Sequence, residues 1–269
     1  MRKMILLFAL LLISVAETDK LVNIKPPETV LRLGEKFTFT ASVLGFTPEI
    51  NIYLWTDSLF CEINGDSCYH FTFYMKINHS LIPIRESKIE SYARTTDLVT
   101  VREEQYLLEK NKEKWQIINF NPEKGTAYYE KDSTIFFDDQ STIDSSGIMV
   151  KSYVGIHDMI NIFWYLRLID VDSMAIGDTF YIWSFAENRK VSYRLPVVFL
   201  REEKIKVPAG TFSYRVFNCC VRRSKIFSAN SGDITLWIDK DKRIIAQATR
   251  KEKALGIWQT VIFKLKAIE

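Results

Sequence analysis

The chain has 269 residues, of which 47% are hydrophobic and 13% are aromatic. This composition can form a large folded core and differs from that of disordered or collagen-like chains. The formal net charge at pH 7 is only +3. Nucleic-acid binders depend on many phosphate contacts and are usually strongly basic, so we do not expect a nucleic acid as a partner.

The first sixteen residues have the form of a secretory signal peptide. Arg2 and Lys3 supply a positive start, residues 4–15 form an apolar run, and Ala16 provides the small residue of a cleavage site. The apolar run is shorter than the about 20 residues that span a bilayer. We therefore expect residues 1–16 to be removed. The remaining chain is predicted to be exported to the periplasm or envelope of a bacterium, without a transmembrane segment.

The rest of the chain has a length that is common for one β-rich domain. Residues 17–29 are polar and contain Pro26-Pro27, which predicts an extended lead-in. Residues 30–269 are predicted to form a single domain. From Arg201 onward there are fifteen Lys and Arg but only seven Asp and Glu. This excess indicates either solvated strands and turns, or a basic surface that faces anionic lipid heads or glycans.

Short runs with β-type alternation dominate the chain. Phe37, Phe39 and Ala41, for example, lie on one face of a predicted strand. Residues 138–147 are polar and predict a mobile loop. Closely spaced strands with turns between them predict a mainly β fold. We expect a curved antiparallel sheet that forms a barrel or half-barrel.

The four cysteines suggest one disulfide. Asn64-Gly65 strongly favours a two-residue hairpin, because both central residues of that turn need positive φ. A turn at this point places Cys61 opposite Cys68, and opposed cysteines in an exported chain can form a disulfide. Cys219 and Cys220 are adjacent, so they point to opposite faces of a strand. The sequence leaves open whether either of them is reactive.

One segment departs from the β pattern. Residues 156–168 carry apolar residues at helical spacing, including Phe163 and Trp164, and Asp158 stands where an N-cap is expected. We predict one short aromatic helix packed against the sheet, as a plug or a cover. His157 and Asp158 could also be half of a catalytic or metal pair. A helix cap is the simpler interpretation, since metal sites need several convergent ligands.

The sequence contains no G-x-S-x-G elbow, no phosphate-binding glycine loop and no H-E-x-x-H motif. Its two D-x-D pairs lack the glycine and the distal glutamate of a calcium loop. We therefore expect no enzyme activity, no metal and no cofactor. A hydrolase remains an alternative, and it would require a cleft with paired carboxylates or a histidine in a perturbed environment.

Several motifs occur in an order that resembles the bacterial domain-of-unknown-function 3108 family. The motifs are Gly34-Glu35-Lys36-Phe37-Thr38-Phe39 with Val43-Leu44-Gly45-Phe46, Asp158 with Tyr165-Leu166-Arg167, Ile176-Gly177-Asp178, Val207-Pro208-Ala209-Gly210-Thr211-Phe212, and Leu236-Trp237-Ile238-Asp239 with Asp241 and Arg243. The resemblance covers about residues 30–269. Cys61 and Cys68 are outside the family pattern, and Leu98-Val99-Thr100-Val101 lacks a proline that the family often has there.

The resemblance implies an exported or envelope-associated β-protein with no established reaction. The family's architecture is similar to half-barrel periplasmic carriers of lipoproteins, in which helices close a curved sheet. Fold alone does not determine function.

Two functional hypotheses follow. In the first, the protein is a monomer that binds a lipid or another apolar ligand inside the curved sheet. Phe163 and Trp164 would then shield acyl chains, and His157 and Arg167 would make polar contacts at the mouth. In the alternative, the protein is a structural or interaction module of the envelope, with a filled core and a protein or glycan partner.

Overall fold

The structure is a computed structural model that describes residues 23–43, 46–77, 84–220, 231–254 and 257–269. The predicted signal peptide, residues 1–16, lies outside the described residues, as does the start of the lead-in, residues 17–22. Within the described ranges, no helix combines the length and the apolar character needed to cross a membrane.

The described residues form sixteen strands and one α-helix, α1 (Met159–Leu168). The strands are β1 (Lys36–Val43), β2 (Phe46–Thr56), β3 (Cys61–Ile63), β4 (Asp66–Lys76), β5 (Ile84–Arg94), β6 (Thr100–Glu109), β7 (Lys112–Asn121), β8 (Thr126–Phe136), β9 (Thr142–Asp144), β10 (Ile148–Lys151), β11 (Thr179–Ala186), β12 (Val191–Val207), β13 (Gly210–Cys219), β14 (Ser231–Asp239), β15 (Ile245–Ala254) and β16 (Ile257–Ile268).

All sixteen strands belong to one antiparallel sheet, which confirms the predicted mainly β fold. Its order is β10-β8-β7-β6-β5-β4-β2-β1-β16-β15-β14-β13-β12-β11, with β3 on β4 and β9 on β8. The sheet therefore consists of two meanders, β1 to β10 and β11 to β16. The two meanders join where β1 pairs with β16. The chain then runs from β10, at the outer edge of the first meander, through α1 to β11, at the outer edge of the second.

The predicted hairpin at Asn64-Gly65 is confirmed. Both residues have positive φ, at 54° and 90°, and Cys61 lies opposite Cys68. Both thiols are free in this structure, where Cys61 Sγ donates to Cys68 O at 3.6 Å and Cys68 Sγ donates to Asp66 O at 3.4 Å. The disulfide between these two opposed cysteines stays a prediction.

Two segments have local structure that their composition does not indicate. The described part of the lead-in is not simply extended, because Ile24 forms an antiparallel bridge with Ile169 and Pro27–Thr29 forms a 3-10 turn. Proline at the first position presets φ for such a turn. The loop predicted at 138–147 contains the short strand β9, whose Ile143 lies opposite Thr134. Pairing with β8 orders a segment whose composition alone predicts a loop.

Helix α1 lies in the concave side of the sheet rather than over its rim. Trp164 has no exposed surface and stacks on Phe71, with ring centroids 4.8 Å apart. Phe163 makes an edge contact with Phe39 at 5.9 Å. Leu166 packs into a second apolar cluster formed by the other meander. The helix therefore fills the interior between the two meanders.

The two meanders approach each other near the start of α1. His157 N donates to Trp183 O at 2.9 Å, and Thr100 N donates to Ile156 O at 3.0 Å. Tyr153 stacks on Trp183 with ring centroids 3.9 Å apart. A short stretch of chain before the helix thus bridges β6 and β11, so the sheet is strongly curved without closing by a strand ladder.

We predict that Trp164→Ala lowers the free energy of unfolding by about 3–5 kcal/mol, because it removes a fully buried indole from the core. Urea unfolding followed by far-UV circular dichroism measures this change. Trp115→Ala is the matched control, since Trp115 is 41% exposed, and we expect a loss of about 1 kcal/mol or less. Equal losses in the two variants would contradict a core position for Trp164.

Candidate functional site

The N-terminal end of α1 is held by a buried polar cluster. Asp158 Oδ1 accepts hydrogen bonds from Ile160 N and Asn161 N at 2.8 Å, which confirms the predicted N-cap. Its Oδ2 accepts from the hydroxyls of Ser91 and Thr100. Burial raises the pKa of Asp158, and these hydrogen bonds oppose the shift. The cluster joins the helix to β5 and β6.

His157 belongs to the same cluster and is not at a pocket mouth. Only 4% of its surface is exposed, and its Nδ1 lies 2.9 Å from Leu98 O, which requires Nδ1 to donate. Its ring also lies 4.0 Å from the ring of Tyr165. Burial lowers the pKa of His157 to about 4, so the imidazole is neutral near pH 7. The structure therefore places this predicted ligand contact in the fold rather than in an open site.

The C-terminal end of α1 carries a buried ion pair. Arg167 is 2% exposed and donates from Nη1 and Nη2 to the two carboxylate oxygens of Glu35, at 2.7 and 3.2 Å. Its guanidinium also lies over the rings of Phe37 and Trp164, at 5.1 and 5.2 Å. Burial lowers the pKa of Arg167, and the Glu35 carboxylate raises it. Arg167 Nε has no hydrogen-bond partner among the described residues.

A pocket of about 710 Å³ opens beside this ion pair. It lies between the lead-in, the end of α1 and the β14–β15 turn. Its cationic lining residues are Lys25, Arg32, Arg167, Lys242 and Arg243, and its carboxylates are Glu28, Glu35 and Asp241. Val30, Leu31, Ile244 and Ile268 add apolar surface. The pocket is thus mixed in character, with an excess of positive charge.

Arg243 fixes the pocket wall to the end of the helix. Its Nη1 donates to Ile169 O at 2.6 Å, and its Nη2 donates to Asp170 Oδ1 at 3.2 Å. A cation at this position satisfies a carbonyl just beyond the helix and complements the helix dipole. Arg243 is 6% exposed, so it acts mainly as a structural part of the wall.

Of the four predicted ligand contacts, the structure brings only Arg167 to the pocket. Phe163 and Trp164 lie in the apolar core, and His157 lies at the opposite end of the helix. No sequence motif indicated that Lys25, Arg32 or Lys242 belongs to a site. The excess of basic residues from Arg201 onward was the one signal that could have indicated part of this lining. Within the described residues, no group of His, Cys, Asp and Glu has the arrangement of a metal site.

A family model described as "Protein of unknown function (DUF3108)" matches residues 38–257. The chain belongs to this family. Three of the motifs that resemble DUF3108 meet at the pocket: Glu35 from the first motif, Arg167 from the Leu-Arg pair, and Asp241 with Arg243 from the closing hairpin. No curated protein matches the DUF3108 chain.

Three solved structures are similar to this DUF3108 chain at low identity. A beta-barrel-like protein of domain of unknown function DUF1849 from Brucella abortus is 9% identical, with a TM-score of 0.44, and the match covers 89% of this chain and 98% of that one. A candidate lipoprotein from Parabacteroides distasonis is 10% identical, with a TM-score of 0.37 and coverage of 93% and 100%. A candidate exported protein with a YmcC-like fold from Bacteroides fragilis is 10% identical, with a TM-score of 0.31 and coverage of 93% and 100%.

We predict that Glu35→Gln lowers the free energy of unfolding by about 3–5 kcal/mol, because it leaves the buried Arg167 guanidinium without its counter-charge. Glu35→Gln combined with Arg167→Met should recover part of this loss, since no unpaired charge then remains. Urea unfolding of the single and double variants measures both effects. Glu269→Gln, which breaks the exposed pair with Lys36, is the control and should change stability by about 0.5 kcal/mol or less.

A second prediction concerns the pH dependence that His157 contributes. The unfolded chain protonates this imidazole near pH 6.5, whereas the folded chain does so only near pH 4. Stability from the neutral ring is therefore complete above pH 6.5 and is lost as the pH falls towards 4, by about 3 kcal/mol. His157→Gln removes this contribution. If the free energies of unfolding of the two proteins changed in parallel between pH 7 and pH 4, the pH dependence would not come from His157.

Proposed function

We propose that the chain is an exported, non-catalytic binding protein of the bacterial cell envelope. Its ligand is an anionic amphiphile, such as a lipid with an acidic head group, and its site is the pocket at the C-terminal end of α1. The observation that carries this proposal is a pocket of about 710 Å³ in which five cations and several apolar side chains meet. Ligand sites typically combine apolar walls with a few placed polar groups.

Three of the five cations are available for an anion. Lys25, Arg32 and Lys242 form no ion pair with any residue that the structure describes, whereas Arg167 and Arg243 are paired with carboxylates. Arg32 and Lys242 are also exposed. An anion in the pocket would therefore meet cations that do not first have to leave a protein carboxylate. Arg167, held by Glu35, would add fixed positive charge at the buried end.

The apolar part of such a ligand would lie along Val30, Leu31, Ile244 and Ile268. The interior of the sheet is already occupied by α1, with Trp164 at its centre. This arrangement supports moving the ligand from inside the curved sheet, as first hypothesised, to the pocket at its end. Phe163 and Trp164 would then support the pocket from below without contacting acyl chains.

A non-catalytic role is supported by the positions of the reactive side chains. His157 is buried against a backbone carbonyl, and the thiol of Cys219 is buried with its pKa raised to about 12. Neither group lines the pocket. The pocket itself offers cations and carboxylates that are paired or solvated, without a nucleophile beside a base.

Native mass spectrometry of protein exported to a periplasm and purified without detergent provides the first test. We expect co-purifying masses of acidic lipids that disappear after organic extraction. Flotation with phosphatidylglycerol vesicles, compared with phosphatidylcholine vesicles and with inorganic phosphate in solution, then separates an acidic lipid from a free anion as the ligand.

We predict that Arg32→Gln and Lys242→Gln each weaken binding to phosphatidylglycerol vesicles roughly fivefold at low salt, since one cation near an anionic surface contributes about 1 kcal/mol. Lys110→Gln is the matched control, because Lys110 is exposed in the β6–β7 turn and does not line the pocket. Equal vesicle binding by the unmodified protein and the three variants would exclude the pocket as the binding site.

A second candidate function is an interaction module of the envelope. It is favoured by exposed apolar side chains on and beside the edge strand β10, where Met149 is 65% and Val154 is 66% exposed. Such an edge can accept a strand of a partner protein. A lipid-free mass and no vesicle binding, followed by capture of an envelope protein that Met149→Lys abolishes, would support this function instead.

A further inference from the structure

The turn between β11 and β12, residues 187–190, inserts against the inner face of the opposite meander. We call it the closing turn. Tyr129 of β8 donates its hydroxyl to Glu187 O at 2.8 Å. Lys190 Nζ lies 2.8 Å from Asp132 Oδ2 and 4.2 Å from the centre of the Tyr129 ring. These contacts join β8 to the β11–β12 edge, which is far from β8 in the order of the sheet.

Two carboxyl groups meet at the centre of this contact. Glu103 of β6 is 2% exposed, and its carboxyl lies within hydrogen-bonding distance of the Glu187 carboxyl. Glu103 Oε2 and Glu187 Oε1 are both buried, and neither has a donor among the described groups. Two ionised carboxylates at this distance repel each other strongly, whereas one shared proton turns the repulsion into a hydrogen bond. A shared proton therefore supplies the pair with a hydrogen-bond donor.

We propose that the closing turn is a proton-dependent latch, in which a proton shared by Glu103 and Glu187 holds the β11–β12 edge against β6, β7 and β8. Loss of that proton leaves two buried negative charges in contact and releases the turn. Release would loosen the two meanders along this seam, where the contacts of the closing turn and the short bridge of Ile156 and His157, rather than a continuous strand ladder, hold them together.

The surrounding charges are consistent with one retained proton. The groups that face the pair are Lys114 and Gln116 of β7, Tyr129 and Asp132 of β8, Asp158 at the start of α1, Lys190 of the closing turn and Tyr193 of β12. Burial raises the pKa of Glu187 to about 7 and raises the pKa of Glu103 well above its usual value, and the Asp158 carboxylate adds to both shifts. Lys114 opposes them, but burial lowers its own pKa.

The equilibrium constant for opening of the latch should depend on pH. An opened turn exposes both carboxyls to water, where they ionise near pH 4.5, so each opening releases the proton that the closed pair shares. One linked proton increases the opening constant about tenfold per pH unit. Opening should therefore become easier as the pH rises above 7, until the closed pair has also lost its last proton.

Hydrogen–deuterium exchange of peptides spanning residues 183–192 in the full chain tests the proposal, after correction for intrinsic exchange rates. We expect protection to fall about tenfold per unit between pH 7 and pH 8.5. Glu187→Gln and Glu103→Gln should each remove this dependence, because an amide supplies a permanent donor to the remaining carboxylate. Lys114 is present in the unmodified protein and in both variants, so the difference between their slopes excludes a contribution from Lys114.

Glu123→Gln, an exposed change in the β7–β8 turn, is the matched control and should keep the slope of the unmodified protein. Lys190→Met tests the latch without touching the carboxyl pair, and it should lower protection at every pH while leaving the slope unchanged. A pH-independent protection in the unmodified protein, or an unchanged slope in both Glu→Gln variants, would overturn the proposal.

Discussion

The position of α1 depends on the Asp158 carboxylate. It receives two backbone N–H groups of the helix and two hydroxyls of the sheet, and it has no exposed surface. An unpartnered carboxylate in this interior would be very costly, so the first turn of the helix and the strands β5 and β6 hold one another in place. Since α1 is rigid, this anchor also determines where Trp164 and Arg167 lie.

The two ends of the helix serve different purposes. Its N-terminal end lies beside the seam, where Ile156 and His157 bridge β6 and β11, and where the closing turn meets β8. Its C-terminal end forms the floor of the pocket through the pair of Arg167 and Glu35. Apolar packing of the central part separates these polar regions. The proposed ligand site and the proposed latch therefore lie at opposite ends of the same helix.

Local chemistry made some of these features predictable. The Asn64-Gly65 hairpin and the Asp158 cap depend on residues close in sequence, and both predictions are confirmed. The ion pair of Arg167 and Glu35 joins residues 132 positions apart, which no local pattern can indicate. Glu103 occurs among polar residues of a strand, so its burial depends on which face of the sheet meets the closing turn. Aromatic spacing in α1 predicted a helix but could not show whether it would cover a cavity or fill one.

The pairing of β1 with β16 has a consequence for how the chain folds. Phe37 lies opposite Ile268, so the central ladder of the sheet joins the first and the last strand of the described chain. Contacts between such distant residues require closure of a very long loop, and folds that depend on them form slowly. During synthesis β1 keeps one open edge until the final strand emerges, and unpaired edges attract other chains. A factor that holds the incomplete chain apart from its neighbours would therefore protect this protein most during that interval.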